Sequence, residues 1–173
     1  MIQTKTTFTV YSPPTVLYGK GAFEEVGAQA KKLGTKALIV SDPIMDNLGF
    51  VSKCAALLQE QGVASVSYLG VTSEPIDTYV TEALDVLQHN DCDIIISVGG
   101  GSCIDTAKAV AVVATNEGYI GDYMNQKKLA NENPIPHIAI PTTAGTGSEA
   151  TNATVITDTT NDIKMMIKQP AFM

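Results

Sequence analysis

The chain has 173 residues, 45% of them hydrophobic, and a formal net charge of -7 at pH 7. With 14 Gly and 8 Pro at that apolar content, the composition is globular and of one-domain size, not disordered or fibrous. No block of Lys and Arg offers a face to phosphate backbones and no apolar run nears the ~20 residues of a membrane span, so neither nucleic acid nor a bilayer is an expected partner.

The start, "MIQTKTTFTVYSPP", has no apolar signal-peptide core, and a soluble cytoplasmic protein is expected. Thr4 to Pro13 alternates polar and apolar residues and reads as a strand. Phe23, Val26, Ala30 and Leu33 recur at helical spacing, and Gly34 closes that helix. Lys36 to Asp42 is a short apolar run ending in an acid. Val51, Cys54, Ala55 and Leu58 form a second helical face that stops at Gly62. Ala64 to Gly70 reads as a strand, and Ile76, Val80, Ala83, Leu84 and Leu87 mark a third helix. "DIIISVG" is another buried strand. Ile104 to Ala114 is apolar nearly all round, which suits a helix covered on most faces. Ile138 to Pro141 is a further strand, and "ATVITDTTNDIKMMIK" reads as two strands about a turn at Thr159 to Asp162.

Strands thus alternate with helices, and most strands are continuous apolar runs. That pattern predicts an α/β fold: a parallel sheet with helices on both faces, with β additions from the N-terminal strand and the C-terminal segment. Cys54, Cys92 and Cys103 form no CxxC pair, and buried reduced thiols are expected.

Two glycine-rich turns stand where strands end. Gly99, Gly100 and Gly101 follow one strand, and Ser102 with Asp105 three residues on forms a capping-box pattern that predicts a helix start. Free amides at a helix N-terminus, approached without a Cβ in the way, suit a phosphate or diphosphate. A tight strand-to-helix turn needing positive φ is the plainer alternative. The run is neither G-x-G-x-x-G nor a Walker loop. "PTTAGTGSE", Pro141 to Glu149, ends the next strand and offers hydroxyls from Thr142, Thr143, Thr146 and Ser148. Two such loops could enclose one long ligand, or this could be an ordinary polar loop. Asp42 ends its strand where an acid could accept both hydroxyls of an adenosine ribose and repel a 2′-phosphate, favouring NAD over NADP. A solvated turn residue before Pro43 fits its position equally well. In the usual dinucleotide fingerprint the acid follows the glycines by about 20 residues. Here it precedes them.

"SVGGGSCIDTAKAVA" and "IPTTAGTGSEAT" strongly resemble the iron-containing (group III) alcohol dehydrogenases. "LYGKGA", "ALIVSD" and Glu74-Pro75 match as well, and the resemblance runs from Phe8 to Met173. It looks closest to the branch with lactaldehyde reductase and 1,3-propanediol dehydrogenase. Glycerol dehydrogenases and dehydroquinate synthases share a related triple-glycine loop, but "PTTAGTGSE" resembles the alcohol dehydrogenase side. The resemblance implies that residues 1–173 form a single NAD-binding α/β domain. It implies cofactor contacts from Asp42, Gly99, Gly100, Gly101, Ser102, Asp105, Thr142, Thr143, Thr146, Ser148, Thr151 and Val155, with Lys108 in the same "D..K" motif as Asp105. In such enzymes a divalent metal, iron or zinc, polarises the alcohol while hydride passes to or from the nicotinamide. Its ligands, one Asp and three His, come from a second, helical domain, and members run to about twice this length. This chain has only His89 and His137, at a helix end and a strand start, without metal-ligand spacing. The expectation is a cofactor-binding half: NAD(H) as ligand, no metal site or catalytic residue in this chain, and no turnover by it alone. A small alcohol and its aldehyde would be the whole enzyme's substrates, and a homo-oligomer is expected. An apolar face near "MMIKQPAFM" is expected to be exposed. The rival is a stand-alone nucleotide-binding module acting in regulation or assembly.

Overall fold

The computed structural model describes residue 10 and residues 12–173. The strand expected over Thr4 to Pro13 falls mainly outside these residues. Four strands form a parallel sheet in the order β2-β1-β3-β4: β1 (Lys36–Ser41), β2 (Ala64–Tyr68), β3 (Ile94–Gly99) and β4 (His137–Pro141). The chain moves outward from β1 to β2, then returns to the other side of β1 for β3. The order therefore reverses between β1 and β3, the place where open α/β sheets bind ligands beyond their carboxyl ends.

Among the described residues five α-helices accompany the sheet: α1 (Val26–Ala30), α2 (Pro43–Asn47), α3 (Phe50–Glu60), α4 (Asp77–His89) and α5 (Gly101–Val113). Strand alternation divides the apolar runs between two cores. Ala37, Ile39, Ile94, Ile96 and Val98 pack with Val26, Ala30, Val51, Cys54 and Leu58 of α1 and α3. Leu38, Val40 and Ile95 pack with Val80, Ala83 and Leu87 of α4 and with α5. Both faces of the central strands are thus dry, which is why their sequences do not alternate. In α5 every residue from Cys103 to Val113 is buried. Each such Val or Ile contributes about 1.5–3 kcal/mol over leaving it in water.

The hairpin forms as its pattern predicts. β5 (Ala153–Asp158) pairs antiparallel with β6 (Ile163–Lys168), and Asp158 Oδ1 accepts the Thr160 and Asn161 amides in the turn. Ile156, Met165 and Ile167 join the α5 core, and Phe172 follows them. The expected exposed apolar face forms only in part: Ile163 and Met166 stand out at 46% and 67% exposure, whereas Met165, Ile167 and Phe172 are buried. Asp77 anchors the hairpin turn to α4. Its Oδ1 accepts Thr159 Oγ1 at 2.8 Å and its Oδ2 accepts the Tyr119 hydroxyl at 2.8 Å.

Several local expectations need correction. The first helix is shorter than its periodicity suggests: a 3-10 turn (Ala22–Glu25) leads into α1, and Leu33 lies beyond it, 45% exposed. The helix α2 was not expected, although Asp42-Pro43 carries its start signal, an N-cap acid before a proline at the first helical position. Helix α5 begins at Gly101 with Gly100 as its N-cap, so Ser102 and Asp105 form no capping box. Ser102 is already inside the first turn. The three cysteines are free and buried, as expected. None of the described helices is long and apolar enough to cross a membrane.

Candidate functional site

The parallel register brings three strand ends level. Ser41 of β1 lies opposite Val98 of β3, and Gly99 of β3 lies opposite Pro141 of β4. Ser41 Oγ donates to Val98 O at 2.6 Å, and the Thr142 amide donates to Gly99 O at 3.0 Å. Asp42, the glycine turn and the Thr-rich loop therefore start side by side, despite their separation in sequence.

Asp42 has two engagements. Its Oδ1 accepts the Ile44 and Met45 amides at 2.8 and 2.9 Å, capping α2. Its Oδ2 faces the glycine turn, where Cys103 Sγ lies 3.5 Å away. The ribose reading and the turn-residue reading are thus compatible, because they use different oxygens. Sequence reasoning missed Cys103 here. It sits one helical turn after Gly99, and a helical side chain lies back over the preceding turn. Burial first, then the Asp42 carboxylate, pushes the Cys103 thiol up to about 12, so it remains a protonated packing group.

The glycines are bare for different reasons. A Cβ on Gly99 would come within 2.5 Å of Cys103 Sγ and 3.3 Å of Asp42 Oδ2. On Gly101 it would meet Thr146 at 3.1 Å and Ser148 Oγ at 3.2 Å. On Gly100 it would find only Thr143, its hydroxyl 3.3 Å away. The neighbouring loop thus accounts for Gly101 and the turn itself for Gly99. A Cβ on Gly100 would lie in the opening between the glycine turn and the Thr-rich loop, against Thr143 on its far side. Gly100 has ordinary φ of -78°, so no backbone demand explains its bareness. No side chain caps α5. The free amides of its first turn and the positive end of its dipole face that opening.

The expected contact residues divide into two groups. Gly99 to Ser102, Asp42, Thr142, Thr143, Thr146 and Ser148 gather about the opening. Asp105 and Val155 are instead tied to each other: Asp105 Oδ2 accepts the Val155 amide at 3.0 Å, and the Asp105 carbonyl accepts Thr154 Oγ1 at 2.8 Å. Asp105 joins α5 to the hairpin, because its place in the second helical turn directs it towards β5. Its Oδ1, however, is buried without a hydrogen-bond partner among the described residues. Burial pushes the Asp105 carboxyl up, while the Val155 amide, the nearby Ser148 hydroxyl and Lys108 oppose that shift. Thr151 is exposed, and its carbonyl accepts from Lys108 Nζ at 2.6 Å.

Uncapped amides and a carboxylate oxygen at the rim fit a dinucleotide: anionic in the middle, with hydroxyl donors on its riboses. A metal fits less well. Among the described residues no three His, Cys, Asp or Glu side chains converge. His89 Nδ1 pairs with the Asp85 carbonyl on its own helix. His137 Nε2 pairs with Ser97 Oγ at 2.8 Å across β3 and β4, and burial pushes its imidazole down to about 3. A groove of about 1570 Å³ follows the outer side of β4, lined by Val16, Phe23, Ile138, Ile140 and Phe172, and reaches Thr142 and Thr143 at one end.

Comparison with known proteins agrees with this geometry. A model of the iron-containing alcohol dehydrogenases matches residues 13–173. The NAD-dependent methanol dehydrogenase of Bacillus methanolicus is 42% identical over 159 residues, covering 91% of this chain and 41% of that protein. A solved 1,3-propanediol oxidoreductase superposes with a TM-score of 0.92 at 35% identity, over 96% of this chain and 44% of that one. The sulfoacetaldehyde reductase of Bifidobacterium kashiwanohense, solved in complex with NAD+, superposes with a TM-score of 0.86 at 27% identity, over 98% and 45% of the two chains. The chain therefore spans less than half the length of these relatives.

Proposed function

The chain belongs to the iron-containing alcohol dehydrogenase family, and from that premise we propose that it is the NAD-binding part of a dehydrogenase interconverting a small primary alcohol or diol and its aldehyde. The observation that carries this reading is the opening at the β1–β3 reversal, where Gly100 stands bare before an uncapped helix. The first amides of α5 would hold the diphosphate, with the Thr143, Thr146 and Ser148 side chains beside them as further donors. Asp42 Oδ2 takes the adenosine ribose hydroxyls, while Asp105 holds α5 to the hairpin behind the site. When bound, NAD supplies the hydride acceptor, and these residues hold it in place. No step of the alcohol chemistry is assigned to residues 1–173. The metal is held elsewhere in the whole enzyme, and this chain alone binds nucleotide without turnover.

The test is a titration of NADH into the chain and into its Gly100→Val variant. Gly100 is preferred to Gly99, whose Cβ would fall 2.5 Å from Cys103 Sγ; at Gly100 the nearest atom is the Thr143 hydroxyl, 3.3 Å away on the facing loop. Loss of binding with the fold retained supports the reading. Equal binding by both forms refutes it.

A further inference from the structure

Lys108 is a buried lysine, only 4% exposed, on the α5 face towards the Thr-rich loop. Its Nζ donates to three main-chain carbonyls: Ser148 at 2.8 Å, Thr151 at 2.6 Å and Ala153 at 2.6 Å. Thr151 Oγ1 lies 3.4 Å away. An ammonium has three N–H groups, and all three are used. The loop they reach has little hydrogen bonding of its own. The Ala150 amide bonds to Gly147 O, and the Ser148 amide makes a long contact to Thr146 Oγ1 at 3.4 Å. Strand pairing resumes only at Ala153, opposite Lys168. Between the glycine-rich loop and the hairpin, Lys108 thus ties the carbonyls of Ser148, Thr151 and Ala153 to α5, while the Gln169 amide holds Asn152 O at 3.1 Å.

We propose that Lys108 is a positioning residue for the nucleotide cleft: its ammonium gathers the carbonyls of residues 148–153 and so sets Thr146 and Ser148 against the glycine turn. This rests on the NAD-binding reading above. Charge is what suits the lysine to the task. Charge-assisted hydrogen bonds are about twice as strong as neutral ones, and a hydrocarbon of the same length would leave three carbonyls pointing at it. The other titratable groups facing the ammonium are Asp105 on its own helix, Glu149 on the Ser148–Ala150 turn and His137 on β4. Burial pushes the ammonium down to about 8, with Asp105 and then Glu149 opposing. Above that pH a neutral amine keeps two N–H groups for three carbonyls, and the hold on the loop loosens.

The experiment compares the chain with Lys108→Met and Lys108→Ala, reading NADH affinity by nicotinamide fluorescence and amide hydrogen exchange over residues 142–153. Lys108→Met is expected to weaken NADH about tenfold or more, because the binding-competent loop arrangement becomes a minor one. Exchange should rise in residues 142–153 while β1, β3 and the rest of α5 stay protected. n-Propylammonium should restore affinity to Lys108→Ala, and n-propanol at equal concentration should not, which separates the charge from mere space filling. If Lys108→Met does not fold, Lys108→Ala purified in propylammonium and then dialysed gives the same comparison. NADH bound equally by the native chain and Lys108→Met, with unchanged loop exchange, overturns the inference and leaves the proposed function standing. A native chain that binds no NADH overturns the proposed function, and the role of Lys108 with it.

Discussion

Replacing Asp42 by Asn tests the cofactor preference with little else disturbed. Oδ1 of Asp42 caps α2, and Asn caps nearly as well as Asp, so the fold should tolerate the change. What Asn removes is the charge on the oxygen facing the glycine turn. A 2′-phosphate about 4 Å from that carboxylate would be repelled by about 4 kcal/mol per unit charge at an effective dielectric near 20. Asp42 is only half-buried, and the Debye length at physiological salt is about 8 Å, so screening lowers this to about 1.5–2.5 kcal/mol. At 1.4 kcal/mol per decade, the native chain should bind NADPH about 10- to 60-fold more weakly than NADH. Asp42→Asn should recover most of that deficit for NADPH. NADH itself should weaken by about 1 kcal/mol, since a charged acceptor for the ribose hydroxyls becomes a neutral one. Paired fluorescence titrations of NADH and NADPH measure both terms, and raising the salt should narrow the native gap. An NADH-to-NADPH ratio that is the same in both proteins would refute the assignment of Asp42 to the ribose.

Gly99→Ala should cost about 1–3 kcal/mol in urea denaturation, because its Cβ is forced against Cys103 at 2.5 Å, whereas Gly100→Ala should lower nucleotide affinity with little change in stability. Asp77→Ala should destabilise by about 1 kcal/mol, since it removes the acceptor by which the exposed Tyr119 and Thr159 hydroxyls hold the hairpin to α4, and chemical denaturation would show it. Burial holds the His137 imidazole well below its unfolded value of 6.5, so the unfolded chain binds the extra proton as pH falls. Stability should therefore decline as pH falls from 6.5 towards 3, and His137→Gln should flatten that limb in denaturation curves taken across pH. Lys164→Ala should change stability by less than about 0.5 kcal/mol, because its 2.8 Å pair with Glu74 is exposed on both sides.

The sequence by itself determined the layers of this protein. Continuous apolar runs such as Ile94 to Val98 signal strands buried on both faces, 3.6-residue spacing marks α3 and α4, and the polar turn at Thr159 to Asp162 marks the hairpin. These features are local, since an element's own period reports how much of it must leave water. The two glycine turns were legible for the same reason. Partnership was not. Only the tertiary structure placed Asp42 beside Gly99, because the order β2-β1-β3-β4 makes neighbours of strands that three helices and β2 separate in the chain. It also decided that Gly100 rather than Ser102 caps α5, that Asp105 turns to Val155, and that Lys108 spends its three N–H groups on the loop beyond Gly147. A polar side chain in an apolar helix announces that it needs a partner, because burial without one is costly. Which partner it finds depends on the segment folded against it, and periodicity carries no record of that.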